Sequence, residues 1–210
     1  MEDENKNIVL DEYTELNSPN CQVLTEETTP GHKTYKIRGC FSKAGIKNKN
    51  GRIYPIPVME HAVNEAQKMI NENRFVCQLE HPASAKIDIA EIAAKINSIK
   101  LLEDGSVVGE MNILDTPKGK IVKTLIDEGV KLGVSTRGTG SVKKTKMKLD
   151  ESGVEEDILE VQPDFLMRAI DIVFDPSAGE FGSPDFLSEE ANLKKKNSRK
   201  FIDIWKNAFN

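Results

Sequence analysis

Residues 92–114, IAAKINSIKLLEDGSVVGEMNIL, decide which kind of fold this chain can adopt. Two apolar runs, residues 92–102 and 107–114, lie on either side of Glu103, Asp104 and Gly105. An Asp-Gly pair between apolar runs favours a β-hairpin, because both residues tolerate the positive φ that tight hairpin turns require. The stretch therefore predicts two antiparallel strands joined by a short turn.

Further short strands are predicted on both sides of this hairpin. Alternating or continuous apolar residues, bounded by turn residues, predict strands at residues 34–42, 75–79, 134–148, 158–161 and 167–174. Apolar residues at helical spacing, with proline near the start, predict helices at residues 55–70 and 117–129. Many short strands with two or three helices favour an α+β fold, a barrel or sandwich dressed with helices, over an alternating α/β sheet.

The composition of the 210-residue chain fits one domain of good size. A net charge of −5 argues against general nucleic-acid binding, and no apolar run reaches the roughly 18 residues that cross a membrane. The acidic first five residues lack the apolar region of a secretory signal. Three cysteines without paired spacing indicate reduced thiols in a cytosol, and with three histidines they give no basis for a metal site or a cofactor.

The chain divides into three segments by composition. Residues 1–32 are polar and are expected to form a mostly irregular arm, with a short strand near residues 21–24. Residues 33–187 are expected to form the main domain. Residues 188–210 combine a basic run with Ile202, Trp205 and Phe209 on one helical face. That tail is either a solvated linker with a docked terminal helix or a detachable arm that binds a partner.

Ser135 and His81 are the strongest candidates for chemistry. Ser135 lies in the glycine-flanked stretch GVSTRGTG at residues 133–140, and His81 ends an apolar run that Pro82 stops. A serine hydroxyl needs a base within hydrogen-bond reach and donors for the oxyanion that forms after attack. Backbone N–H groups around Arg137 and Gly138, with the charge of Arg137 or Arg168 nearby, could supply those donors. Taken alone, each pattern is more often structural than catalytic.

A third group should orient the imidazole, and Asp171 is the candidate. It interrupts an apolar strand, where an unpaired carboxylate is costly and a partner such as His81 or Arg168 would remove that cost. The alternative is a structural Asp–Arg pair. Regular strand alternation would put Cys77 on the same face as His81, so a cysteine nucleophile is a rival, although a buried structural thiol fits that pattern better.

Five motifs in order give the chain a resemblance to a known family. They are NGRIYP (50–55), LEHP (79–82), ILDTPKG (113–119), GVSTRG (133–138) and IDIVFDPS (170–177). This series resembles the prohead core protein proteases of tailed bacteriophages. The resemblance covers about residues 33–177 and implies a herpesvirus-assemblin-like fold, mainly an antiparallel β-barrel surrounded by a few helices. It implies a serine protease site in which His81 and Ser135 match the family's histidine and serine, and it implies no cofactor.

The resemblance also implies a place of action, partners and a specificity. The enzyme would work inside the assembling prohead, in the host cytoplasm, on scaffold (core) proteins and the major capsid protein, as a homo-oligomer without membrane or direct nucleic-acid contact. Such proteases resemble one another in cutting after glutamate in L/I-x-E sequences. Such tripeptides lie near both ends of this chain, and cleavage of its own chain is expected after Glu12 and Glu189. The main rival is a non-enzymatic assembly protein that binds scaffold through its tail.

Overall fold

The computed structural model describes residues 8–15, 21–29, 32–48, 50–82, 86–148 and 155–174. Most of these residues are in strands. The strands are β1 (Ile8–Glu15), β2 (Cys21–Thr29), β3 (His32–Lys43), β4 (Arg52–Ile53), β5 (Val76–Gln78), β6 (Ile92–Leu101), β7 (Ser106–Ile113), β8 (Gly133–Gly140), β9 (Val142–Lys148), β10 (Glu155–Val161) and β11 (Leu166–Val173). The helices are α1 (Ile56–Asn71) and α2 (Pro117–Asp127), with a 3-10 turn at Ile89–Glu91.

The described strands form three sheets. Their orders are β2-β3-β7-β6-β5, β1-β8-β11 and β4-β10-β9, and the pairs are antiparallel apart from the short parallel pair of β4 with β10. The hairpin predicted from the opening stretch is confirmed as β6 and β7. Gly105 has a φ of +83° at its turn, and its N–H donates to the carbonyl of Leu102 at 3.0 Å. The positive φ is the reason for glycine at this turn.

Two of the sheets are joined at the end of β5. Leu79 forms a parallel bridge with Ile172 of β11, and the next N–H, that of Glu80, donates to the Ile172 carbonyl at 2.7 Å. Within the described residues no ladder joins β1 to β2, so the strands do not close into a ring. A closed barrel requires a continuous ladder around it. The α+β class with mainly antiparallel strands is confirmed, whereas the closed barrel is not.

Both predicted helices are present, close to their expected limits. Pro55 precedes α1, whose buried face packs against β6 and β11. The residues of that face are Val58, Met59, Ala62, Val63, Ala66 and Ile70. Thr116 caps α2, accepting from the N–H of Gly119 at 3.1 Å, and Gly129 follows the helix with a φ of +73°. Neither helix is both long and apolar enough to cross a membrane.

Two expectations about the strands are wrong. The N-terminal arm is not mostly irregular, because residues 8–15 and 21–29 are strands of two different sheets. The single strand expected at residues 134–148 is two strands, since Ser141 leaves the ladder and both its N–H and its hydroxyl donate to Asp164. β9 then pairs with β10 instead of continuing beside β11. The basic tail at residues 188–210 lies outside the described residues.

Gly138 has no room for a side chain. A Cβ placed there would lie 2.3 Å from Phe165 Cε2 and 2.7 Å from the Leu166 carbonyl oxygen. Phe165 cannot retreat easily, because its ring packs edge-on against Tyr54 with centroids 5.1 Å apart. We expect Gly138→Ala to lower the free energy of unfolding by about 1–3 kcal/mol, as overpacking does in other cores. Urea denaturation measures this loss.

The control for this prediction is a double-mutant cycle with Phe165→Leu, which replaces the obstructing ring with a smaller aliphatic side chain. The cost of Gly138→Ala should shrink in that background, because the two residues are in direct contact. Equal costs in both backgrounds, or no cost at all, would show that the contact between Gly138 and Phe165 does not constrain the fold.

Candidate active site

The site is built on two neighbouring strands, β8 and β11. Ser135 and Asp171 are direct partners in their antiparallel register, and side chains of opposed residues project to the same face of a sheet. Arg137 lies two residues further along β8, so it projects to that face as well. The sheet alone therefore sets a hydroxyl, a carboxylate and a guanidinium side by side.

His81 reaches this face from the end of β5. The bridge between Leu79 and Ile172 brings the segment alongside β11, and Glu80 then adopts a left-handed conformation with a φ of +66°. Such a conformation costs a non-glycine residue on the order of 1 kcal/mol or more, so the surrounding structure must hold it. Glu80 Oε1 accepts from the Phe174 N–H at 2.8 Å. The regular strand alternation predicted through His81 is wrong, because Glu80 breaks it.

The structure brings His81, Ser135 and Asp171 into one hydrogen-bonded line. His81 Nε2 is 2.7 Å from Ser135 Oγ, and His81 Nδ1 is 2.9 Å from Asp171 Oδ2. An ionised carboxylate only accepts, so the imidazole proton belongs on Nδ1 and Nε2 is left to accept from the serine hydroxyl. This is the arrangement that a general base and its orienting group require.

Asp171 is fully buried and held by three donors besides His81. Arg137 Nε donates to Oδ2 at 2.5 Å, Arg137 Nη2 donates to Oδ1 at 3.3 Å, and the N–H of Gln78 donates to Oδ1 at 3.0 Å. Both side chains of the ion pair have no solvent exposure. A buried carboxylate is tolerated only when it is paired and hydrogen-bonded. Asp171 thus contacts both partner types that the sequence left open, a histidine and an arginine.

The expected oxyanion role of Arg137, Gly138 and Arg168 does not fit their positions. The guanidinium of Arg137 is fully buried and donates to Asp171, the carboxylate that contacts the imidazole. Gly138 is three residues beyond Ser135, roughly 10 Å along the strand. Arg168 is exposed at a bulge of β11, where its Nε lies 3.4 Å from Thr139 Oγ1. The structure therefore places Arg137 at the Asp171 carboxylate, Gly138 further along β8 and Arg168 at the Thr139 side chain.

Gln78 belongs to this cluster, although no role for it was predicted. Its side chain is fully buried, with Oε1 accepting from Arg137 Nη2 at 2.7 Å and Nε2 donating to the Asp88 carbonyl at 3.2 Å. The sequence contains a signal for this role, because a polar amide inside the apolar run at residues 75–79 must find hydrogen-bond partners once it is buried. Gln78 anchors the arginine that in turn holds Asp171.

Cys77 is placed as a structural thiol. It is fully buried, and burial together with the nearby charge of Asp171 raises the pKa of its thiol well above the ordinary value. A thiol that stays protonated is a poor nucleophile, which disfavours the cysteine-hydrolase alternative. The nearby carboxylate of Asp88 caps the 3-10 turn by accepting from the Ala90 N–H. Within the described part of the chain, no cluster of side chains could hold a metal ion.

Comparisons with known proteins agree on one family. The family model described as prohead core protein serine protease matches residues 20–191. A curated relative, the prohead core protein protease of Enterobacteria phage T4, is 30% identical over 112 residues, which are 52% of this chain and 52% of that protein. The alignment thus spans about half the length of that relative.

A solved structure has the same fold. It is the bacteriophage T4 capsid assembly protease, with a TM-score of 0.66 and 22% sequence identity, over 81% of this chain and 100% of that one. The matched family region includes β5, β8 and β11, which carry the cluster of His81, Ser135 and Asp171. Because the family model matches residues 20–191, which are most of the chain, the chain belongs to the prohead core protein serine protease family.

Proposed function

We propose that this chain is a serine endopeptidase that matures a viral prohead. The observation that carries the proposal is the 2.7 Å hydrogen bond between His81 Nε2 and Ser135 Oγ, in line with Asp171 on the other ring nitrogen. The bond lies within the range that general-base catalysis requires. Membership of the prohead core protein serine protease family supports the same activity.

The proposed reaction passes through an acyl-enzyme. Ser135 Oγ attacks the scissile carbonyl carbon while its proton moves to His81 Nε2, and the carbonyl π electrons move onto the oxygen. When the tetrahedral intermediate collapses, the C–N bond breaks and His81 returns the proton to the leaving amine. A water molecule then attacks the ester carbonyl carbon while His81 takes its proton, the C–Oγ bond breaks to release the acid product, and His81 returns the proton to Ser135 Oγ. Asp171 holds the ring and stabilises its charged form, while Arg137 and Gln78 hold Asp171.

The proposed substrates are the scaffold proteins and the major capsid protein of the prohead, cut after glutamate in L/I-x-E sequences. This finer assignment rests on the resemblance described above, and the T4 relative and the T4 structure similar to this chain are named for the prohead core and for capsid assembly. The site of action would be the assembling prohead in the host cytoplasm, with the enzyme as a homo-oligomer. A non-enzymatic scaffold-binding protein would have no use for a hydrogen-bonded Asp–His–Ser line.

The chain is also proposed to cut itself after Glu189, within Leu187, Ser188 and Glu189. We expect active protein to lose residues 190–210, because the tripeptide has the proposed cleavage pattern. Intact-mass spectrometry after incubation measures the loss. Ser135→Ala should keep the tail because no nucleophile remains, and Glu189→Gln should keep it because the recognised carboxylate is gone.

Two outcomes would count against this proposal in different ways. If Ser135→Ala loses the tail as fast as the unaltered chain, another protease is responsible. If Glu189→Gln loses the tail while Ser135→Ala keeps it, the enzyme cuts itself but the glutamate preference is wrong.

A further inference from the structure

The N-terminal strand β1 lies directly beside the strand that carries Ser135. β1 pairs with β8 in antiparallel register, with Tyr13 opposite Ser135 and Glu12 opposite Thr136. β11 occupies the other edge of β8. Both edges of the strand that carries the proposed nucleophile are therefore paired within the same chain.

With both edges paired, β8 has no free edge to which another peptide could add as a strand. Ser135 is only 3% exposed, although a protease nucleophile must meet the carbonyl carbon of its substrate. The Ser135 side chain is hydrogen-bonded to His81 on one face of the sheet. β11, which carries the register partner Asp171, occupies one edge of β8. β11 cannot leave without taking Asp171 with it, so β1 is the element whose departure would open β8.

β1 contains a tripeptide with the proposed cleavage pattern, and its register places the end of that tripeptide beside Ser135. Leu10, Asp11 and Glu12 match the proposed L-x-E pattern, as do several other tripeptides of the chain. Opposed Cα atoms of an antiparallel pair are about 5 Å apart. The peptide bond between Glu12 and Tyr13 therefore lies opposite the step from Thr136 to Ser135, beside the backbone of the proposed nucleophile.

We propose that β1 holds the place of a substrate strand and keeps the protease closed until the bond after Glu12 is cut. The inference rests on the proposed function, because a strand can stand for a substrate only if the site is a protease site. An external substrate would then pair with β8 in the same register. Its glutamate would lie opposite Thr136, and the two preceding residues would lie opposite Arg137 and Gly138.

Tethering explains how one cut would open the site. A strand attached to the same chain competes at an effective concentration on the order of millimolar, whatever its intrinsic affinity. Cleavage after Glu12 would turn residues 1–12 into a separate peptide, and these residues include five of the eight positions by which β1 pairs. At micromolar protein, that peptide would dissociate and leave β8 free for other chains. Main-chain pairing of this kind accepts many sequences, with side chains supplying the preference.

The test releases β1 without cutting it. Neighbouring residues of an antiparallel strand point their N–H groups alternately toward and away from the partner, so Asp11→Pro with Glu12→Pro must remove a donor to β8. Both changes are made in full-length Ser135→Ala, which cannot cleave. Fluorescence anisotropy then measures the binding of a labelled peptide with the sequence of residues 8–15.

We expect the double-proline chain to bind this peptide at least tenfold more tightly than its Ser135→Ala parent. Asp11→Asn with Glu12→Gln is the matched control, because it changes the same side chains but keeps both N–H groups, and it should bind like the parent. Val9→Pro with Leu10→Pro gives a second released chain in case the first fails to fold, and thermal denaturation reports folding for both. Equal affinity in parent and released chains would overturn the inference.

An activity measurement separates failure of this inference from failure of the proposed function. With Ser135 restored, the released chain should cleave the peptide at least tenfold faster than the chain carrying Asp11→Asn with Glu12→Gln. If the released chain binds the peptide but never cleaves it, the protease proposal fails and β1 still occupies a peptide-binding edge. If both chains cleave at the same rate, the site is a protease site that β1 does not close.

Discussion

Replacing Ser135 with alanine should lower kcat/KM for a peptide spanning residues 184–193 by a factor of about 10⁴ or more. The hydroxyl oxygen is the only atom that can form the proposed ester, and it is hydrogen-bonded to His81 Nε2 at 2.7 Å. His81→Ala should cost a similar factor, because the hydroxyl then has no base. The double variant should be no worse than either single one, since the two groups act as a unit. Chromatographic assay of the cleaved peptide gives all three rates.

Ser141→Ala is the matched control for these losses. Ser141 is also on the β8–β9 segment, but its hydroxyl donates to Asp164 at a turn away from the site. Its rate should stay within about twofold of the unaltered chain, as is usual for surface substitutions. If Ser135→Ala retains activity comparable to Ser141→Ala, the assignment of the nucleophile is wrong.

Replacing Arg137 with methionine should destabilise the fold by about 3–5 kcal/mol, because it leaves the Asp171 carboxylate buried without its counter-ion. Both side chains have no solvent exposure, so water cannot take over the lost bonds. Urea denaturation measures the loss. Activity of the folded fraction should fall as well, because the carboxylate that orients His81 loses two of its donors.

The comparison pair for Arg137 is Arg38 with Glu110, an ion pair at 2.6 Å whose side chains are 31% and 15% exposed. Arg38→Met should cost only about 0–1 kcal/mol, since that pair is closer to solvent. Adding Asp171→Asn to Arg137→Met should recover part of the stability, because no buried charge remains, but should not recover activity. A loss for Arg137→Met as small as that for Arg38→Met would refute the account of the buried cluster.

Local signals in the sequence predicted much of the fold. The Asp104–Gly105 pair favours a tight hairpin turn whatever surrounds it. The fixed φ of Pro117 favours the start of α2, and the positive φ of Gly129 favours its end. These features depend on neighbouring residues and need no knowledge of distant ones. A carboxylate inside an apolar strand is also a local signal, because it must find a partner once it is buried. That signal indicated Asp171 from the sequence.

Features that depend on long-range register could not be predicted. The pairing of β1 with β8 joins residues 118 to 132 positions apart in the chain, and the polar composition of the N-terminal arm gave no sign of it. The direction of Arg137 depends on which residue of β11 lies beside it. The left-handed conformation of Glu80 could not be predicted from the sequence either, because only the packing of the β5 end against β11 selects it.

The site was predictable as a set of residue types but not as a geometry. Spacing suggested Ser135 and His81 separately, and the resemblance joined them. Their contact depends on the bridge from Leu79 to Ile172, which no local pattern encodes. Arg137 was assigned to the wrong partner because a charged residue near a serine can serve either the oxyanion or the carboxylate, and only the fold distinguishes the two.

One labelling measurement tests whether the line from Asp171 through His81 activates Ser135. The unaltered chain and the chain with Asp11→Pro and Glu12→Pro are treated with a fluorophosphonate, digested, and mapped by mass spectrometry. We predict a phosphonyl adduct on Ser135, formed fastest in the released chain and lost from both when His81 is replaced by alanine. Absence of the adduct from both chains, or an adduct that forms equally well without His81, would contradict the account.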